Sequence, residues 1–357
     1  MIKDTVLRDI YLQALANCAP KRLIRRVLRD DMPHDVAAIG KCAGALLDGI
    51  AEHVRDAFVA IPAGYRLPKT NAEIAIGGHP DYTAASFEAG ERLLRFVDAH
   101  HDILFIISGG GSACVEVPAP GFTREQLARE NARLIAGGLP IGEINAARKK
   151  MSAIKGGRLA GRVRGRCVTL VYSDVSTGAL GDVASGLTIP GSDEVHLIAD
   201  NTTLVAAAAA LAREAGEGGA KRRVRVIEEQ IEGDVDDAAR FLVEQLREAD
   251  VVIAGGEPTV VKRGDGKGGR CLELAVRVAL CAGNLRGEAL FGSSDGVDGN
   301  SGVAGVAIRL PAPIDRVAAE RELARSNSLA VAQAAGEPII IPPTGNNLRD
   351  LYLLARS

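Results

Sequence analysis

Tryptophan is absent from this chain of 357 residues, and aromatic residues of all kinds make up only 3% of it. Proteins that grip single-stranded nucleic acid stack bases on aromatic side chains, so this scarcity argues against that class. No long basic run is present and the formal net charge is −2, which argues against binding a phosphate backbone as the main task. Cysteine is sparse and scattered: Cys18, Cys42, Cys114, Cys167, Cys271 and Cys281 form no CxxC pair. The expectation is reduced, mostly buried thiols rather than a disulfide framework or a zinc site. Long apolar runs are missing as well. The longest, such as Leu204–Leu211, is far too short to span a bilayer. Met1-Ile2-Lys3-Asp4 leads into a mixed stretch and not into an apolar leader. These absences predict a cytoplasmic protein with neither nucleic acid nor membrane as partner.

What is present is the composition of a globular protein, 47% hydrophobic and 25% charged. Glycine is abundant, at 41 residues, and it clusters. Apolar runs end repeatedly in Gly-rich or acidic turns: Ile103–Ile107 before Ser108-Gly-Gly-Gly-Ser112, Val168–Tyr172 before Ser173-Asp174, Val251–Ala254 before Gly255-Gly256-Glu257, and Leu290-Phe291 before Gly292 to Gly296. Short apolar runs bounded by turn residues read as buried strands. Between them lie amphipathic helical stretches: Val6–Asn17, Lys21–Leu28, Ala84–Ala99, Thr123–Ala136, Asn201–Ala215 and Val235–Glu248. This alternation predicts an α/β protein with mostly parallel sheets, whose ligands sit at the C-terminal strand ends. The Gly-rich, basic stretch Glu214–Arg223 is the one linker-like segment. A boundary near 230 gives domains of 1–230 and 231–357.

Five loops carry candidate chemistry. In Ser108-Gly109-Gly110-Gly111-Ser112 the missing Cβ atoms let backbone amides approach an anion, or simply allow a tight turn. Asn145, Arg148, Lys155 and Gly156 belong to a segment with five cations in eleven residues, which suits an anion site or a solvated helix face. Glu257 and Thr259 follow a strand, and Lys267 and Arg270 lie in a Gly-rich basic loop whose flexibility suits closure over phosphates. Arg270 offers a planar fork to phosphate or carboxylate. Asp295 and Asp298, three positions apart among glycines, are candidate Mg²⁺ ligands or a pair of Asx turns. Lys41, after a short apolar run, can place a point charge on a phosphoryl group.

Together these segments resemble the glycerate 2-kinase (MOFRL) family over nearly the whole chain and in the same order. The likeness rests on Gly40-Lys41-Cys42-Ala43, Gly78-His79-Pro80-Asp81, Ser108–Ala113, Asn145–Ala160, Ser173-Asp174-Val175, Gly255–Thr259, Gly266–Arg270, Asp295–Gly299 and Pro343–Asp350. The resemblance implies two α/β domains, one Rossmann-like with a mostly parallel sheet and one smaller MOFRL domain, with the active site in the cleft. It implies ATP-dependent phosphorylation of D-glycerate, or a close sugar acid, at the 2-hydroxyl with Mg²⁺. Lys41 and Arg270 match the residues most tied to activity in that family. Asp174 is a further catalytic candidate. The Ser108–Ser112 loop, Asn145, Arg148, Lys155, Gly156, Glu257, Thr259, Lys267 and Asn347 would contact substrate or phosphate. The general base stays open between Asp174 and Asp295, with His79 behind them. The chain departs from the pattern at Ser176–Asp182, where an acidic pair is usual, and at Cys271, where Asn is usual. Two other functions stand beside the kinase: a hydroxypyruvate reductase-type oxidoreductase, and a non-catalytic metabolite-binding protein on a kinase scaffold. A homodimer is compatible with all three.

Overall fold

The computed structural model of the chain describes residues 4–137, 141–176, 178–215 and 222–357. It divides into two compact units. One is Pro20–Asp200; the other joins the N-terminal segment, up to Ala19, to Asn201–Ser357.

Helix α1 (Asp4–Asn17) belongs to the second unit, whereas α2 (Pro20–Val27) opens the first. The first unit continues through β1 (Asp35–Ile39), α3 (Ala43–Gly49), β2 (Asp56–Pro62), β3 (Glu73–Gly77), α4 (Ala84–Ala99), β4 (Ile103–Ser108) and the short α5 (Gly111–Cys114). It ends with α6 (Arg124–Ala136), α7 (Ile141–Met151), β5 (Cys167–Tyr172) and β6 (Glu194–Ala199). Its six strands are ordered β3-β2-β1-β4-β5-β6, and every pairing is parallel. The inner strands β1, β4 and β5 are buried along their whole length. A sheet covered by helices on both faces needs such continuous apolar runs. Thr123 and Gln126 cap α6 reciprocally, each side chain taking the other's backbone amide. The strand order reverses between β1 and β4, and the crevice at that switch point is where doubly wound sheets bind ligands.

The second unit contains α8 (Asn201–Glu214), β7 (Val224–Val226), α9 (Val235–Glu248), β8 (Val251–Gly256), α10 (Arg270–Cys281), β9 (Gly287–Ser293) and β10 (Gly305–Leu310). It closes with α11 (Arg316–Leu323), α12 (Ser328–Ala335), β11 (Gly336–Ile339) and β12 (Asp350–Arg356). Helix α9 buries Val235, Ala238, Ala239, Leu242, Val243 and Leu246, the i, i+3, i+4, i+7 stripe of a surface helix. Its N-cap Asp234 accepts from the Asp236 amide at 2.8 Å. The sheet is ordered β11-β10-β9-β12-β8-β7.

This sheet supplies the antiparallel part of a fold expected to be mostly parallel. Only β7 and β8 run parallel; the other described pairings are antiparallel. The reason is connection: β9 returns as β10 after a loop with no crossover helix, which antiparallel pairing permits. The last strand, β12, threads between β8 and β9. Its register sets Asp350 opposite both Gly256 and Ser293.

The boundary expected near 230 falls inside the second unit, between β7 and α9. Helix α1, expected in the first domain, lies in the second because its apolar face needs cover there. It packs on α8 and β9, with Tyr11 and Ala14 fully buried. Residues 216–221 of the linker-like stretch lie outside the described residues.

Candidate active site

In the first unit the switch point holds the sequence-predicted lysine and glycine loop together. Lys41 follows β1 and Ser108 ends β4, its parallel neighbour. The Lys41 amide donates to the Gly109 carbonyl at 2.9 Å, and the Cys42 amide to Ser108 Oγ at 3.1 Å. Gly40 has φ +115°, and a Cβ there would stand 2.4 Å from the Ser108 carbonyl oxygen. Glycine is therefore required for β1 and β4 to meet at this turn. The Lys41 stem lies along Gly110, whose added Cβ would come within 2.9 Å of Lys41 Cγ. Ser108 itself is fully buried, and its hydroxyl latches the turn by accepting the Cys42 amide.

Behind this loop runs a polar chain that joins the predicted Ser112, Asn145 and Arg148 to Ser185 and Asn131, which sequence reading missed. Ser112 Oγ and Ser185 Oγ are 2.7 Å apart, and Ser185 Oγ donates to Asn145 Oδ1 at 2.7 Å. Arg148 donates through Nε to Asn131 Oδ1 at 2.9 Å and through Nη1 to Ser112 Oγ at 3.4 Å. The Arg148 guanidinium also stands 6.0 Å from the Tyr82 ring centroid. Lys149 reaches Asp182 Oδ1 at 3.2 Å. Asp182 belongs to the departure segment Ser176–Asp182, of which Thr177 lies outside the described residues. His79 faces this cationic set. Loss of solvent, then the Lys41 and Arg148 charges, hold its imidazole down to about 4, so it is neutral at pH 7.

Lys155 is sealed beside this set. Its ammonium is fully buried and paired with the equally buried Glu116. Ser152 Oγ donates to Glu116 Oε1 at 2.5 Å and accepts the Ile154 and Lys155 amides. A buried charge demands this pairing, and the result is an anchor for the turn at Gly156, where φ is +66°. Sequence reading missed Glu116, which carries no motif. Asp174 is half-buried just past the end of β5.

In the second unit the predicted arginine opens α10. Arg270 Nη1 lies 3.0 Å from Glu257 Oε1, and Nε lies 3.5 Å from Asp350 Oδ2. Burial alone would lower the guanidinium's pKa, but Asp350 and Glu257 outweigh it and raise it. Asp350 is fully buried, and among the described residues its Oδ1 has no hydrogen-bond partner. Burial pushes its carboxyl up to about 7, against the lowering effect of Arg270. Asp350 had entered the sequence reading only as the end of a motif. Asn347 is buried, and Thr259 and Lys267 are exposed. The Thr259 amide donates to the Gly233 carbonyl at 2.6 Å, and the Lys267 amide to Asn327 Oδ1 at 3.3 Å.

The Gly-rich loop before Arg270 is packed. A Cβ on Gly269 would fall 2.2 Å from the Asp298 carboxyl, and Gly268 exchanges hydrogen bonds with Asn300. Close approach, and not freedom to close over phosphates, accounts for these glycines. Asp298 receives the Cys271 and Leu272 amides at 3.1 and 3.0 Å. It thus caps α10 from outside the helix, and burial raises its carboxyl to about 6. Asp295 Oδ1 receives Ser293 Oγ and the Val297 amide, both at 2.9 Å, the Asx turn that was the alternative reading. No three His, Cys, Asp or Glu side chains converge on a metal position among the described residues. Mg²⁺ bound with nucleotide phosphates needs only one or two carboxylates. Asp295 fits that need; Asp298, with both oxygens on helix amides, fits it only through water.

No helix among the described residues is long and apolar enough to cross a membrane. The sequence matches two family profiles: a domain of unknown function (DUF4147) over residues 6–225, and the MOFRL family over residues 250–350. It is 28% identical to a D-glycerate 2-kinase from Thermotoga maritima, over 99% of this chain and 96% of that one. A protein from Agrobacterium vitis provisionally named a hydroxypyruvate reductase is 27% identical, over 97% and 93%. The crystal structure of a glycerate kinase from Thermotoga maritima superposes with a TM-score of 0.85 at 26% identity, covering 99% of both chains. The first β–α turn here reads Gly40-Lys41-Cys42-Ala43-Gly44, which is not the GxGxxG fingerprint of dinucleotide-binding reductases.

Proposed function

This chain belongs to the glycerate 2-kinase (MOFRL) family, and on that premise we propose that it phosphorylates D-glycerate at the 2-hydroxyl, with ATP as donor and Mg²⁺ as the assisting ion. The observation that carries this reading is Lys41 laid along Gly110 at the switch point of an all-parallel sheet. A lysine there meets an anion whose other contacts are backbone amides. Lys41 and Arg148 supply positive charge in the first unit, and His79, neutral, adds none. Arg270 supplies it in the second unit, where Glu257 and Asp350 fix the guanidinium plane. Phosphoryl transfer asks mainly for positioning and charge neutralisation, which these groups provide. Asp174, at a strand end, takes the hydroxyl proton. Bound Mg²⁺ would neutralise donor phosphate charge, with Asp295 holding it.

ADP release measured with D-glycerate and a panel of longer sugar acids tests the proposal. Lys41→Ala and Arg270→Ala are each expected to lower kcat by roughly 10²–10³-fold with the fold intact. Turnover confined to a longer acid would move the substrate, and no turnover with any acid would overturn the kinase reading.

A further inference from the structure

The parallel strands β7 and β8 end beside the first turns of α8, and the three elements enclose a cavity of about 390 Å³. That is within the usual size of a small-molecule site, about 300–1,000 Å³. Its walls are apolar where Val205 and Ala206 face Val226 and Ile227. Asn201, the first residue of α8, also lines it and is only 1% exposed. Asn201 Nδ2 donates to the Leu348 and Asp350 carbonyls at 2.7 and 3.0 Å, which fixes the orientation of the amide. Its Oδ1 has no hydrogen-bond partner among the described residues. That oxygen points to where Gly255 lacks a side chain, since a Cβ on Gly255 would stand 2.2 Å from it. A buried acceptor left without a donor is costly unless a ligand supplies one. At the rim stand Glu228 and Glu229, both exposed.

An apolar slot, a buried acceptor and a carboxylate rim call for a flat, neutral body bearing an N–H donor and hydroxyl groups. We propose that this cavity holds the adenosine moiety of the phosphoryl donor, its exocyclic amine donating to Asn201 Oδ1 and its ribose hydroxyls to Glu228 and Glu229. The rim carboxylates repel phosphates, so the phosphate chain leaves by the other side. Two chains of contacts within the same unit lead that way to Arg270. In one, Arg349 bonds Gln230 of the cavity at 2.6 Å and lies 3.5 Å from Glu257, which holds Arg270. In the other, Asn201 holds the backbone of Asp350, whose carboxylate faces Arg270.

The inference rests on the kinase reading for its biological role, but adenosine alone tests the cavity. Titration calorimetry on the full chain is expected to show adenosine binding, weakened about tenfold or more by Ala206→Trp, which fills the slot from an exposed helix position. In turnover the same variant is expected to raise KM for ATP by a similar factor and to leave KM for D-glycerate within about twofold. Ala206→Leu, a good helix former, gives an intermediate loss should the tryptophan variant not fold. Absence of adenosine binding, equal binding by wild type and variants, or preference for guanosine would overturn the assignment whatever the turnover. Adenosine binding lost in the variant, with no turnover of any acid, would keep the cavity and sink the kinase reading.

Discussion

Two buried carboxylates missed at first reading show how burial turns ordinary residues into decisive ones. Glu116 sits in no motif, yet it neutralises Lys155 where both are sealed from water. Lys155→Met leaves the Glu116 charge unpaired, and urea unfolding is expected to show a loss of about 3–5 kcal/mol, with much of it regained when Glu116→Gln is added. An unchanged midpoint in the single variant would show that the pair is not needed. Asp350 makes a different prediction. Its folded pKa, about 7, lies above the usual value of about 3.9 for an unfolded aspartate. Its contribution to stability is therefore greatest in acid and is lost as pH rises towards about 7. Arg270 opposes the shift, and Glu257, Asp298 and Asp295 reinforce it. The gap in urea midpoint between wild type and Asp350→Asn is expected to move against wild type from pH about 5 to about 8; parallel profiles would refute this.

Among the elements, α10 most closely ties fold to function, because its first residue is Arg270. Its N-terminal amides have no acceptor of their own, and Asp298 supplies one from the following loop. Asp298→Ala is expected to cost about 0.5–2 kcal/mol through the lost cap, with a fall in kcat as Arg270 loses its platform. Asp298→Asn, which keeps one acceptor, is expected to fall between. A variant with full stability and reduced activity would instead point to direct metal ligation. Part of the element order is legible in the sequence, whereas β2, β3, β6, β10, β12, α11 and α12 carry no reading there. Ala84–Ala99 and Val235–Glu248 were read to the residue, since their apolar stripes end at caps. The loops were not read as well. Glycine runs look alike whether they are mobile or tightly packed, and only the contacts of Gly268 and Gly269 separate the two.

The whole molecule is two units assembled from three stretches of chain. Pro20–Asp200 is continuous and carries its own apolar core, centred on Phe58, Leu93 and Phe105. Expressed alone, this stretch is expected to fold with a cooperative thermal transition; a non-cooperative melt would refute that. Deleting residues 1–19 removes the cover from β9 and α8, so it is expected to destabilise the second unit selectively, seen as faster proteolysis within Asn201–Ser357.

The sequence by itself determined the α/β class, the strand-end address of the candidate chemistry and the family. These depend on local patterns: apolar runs of strand length, turn glycines and motifs kept in order. It also brought forward Lys41, the Ser108–Gly111 loop and Arg270. Only the tertiary structure decided that α1 belongs with the C-terminal stretch, that β12 lies between β8 and β9, and that Lys155 pairs with Glu116. Each of those is a pairing between residues far apart in the chain. Burial, register and the matching of charges arise from such pairings, and no local pattern records them.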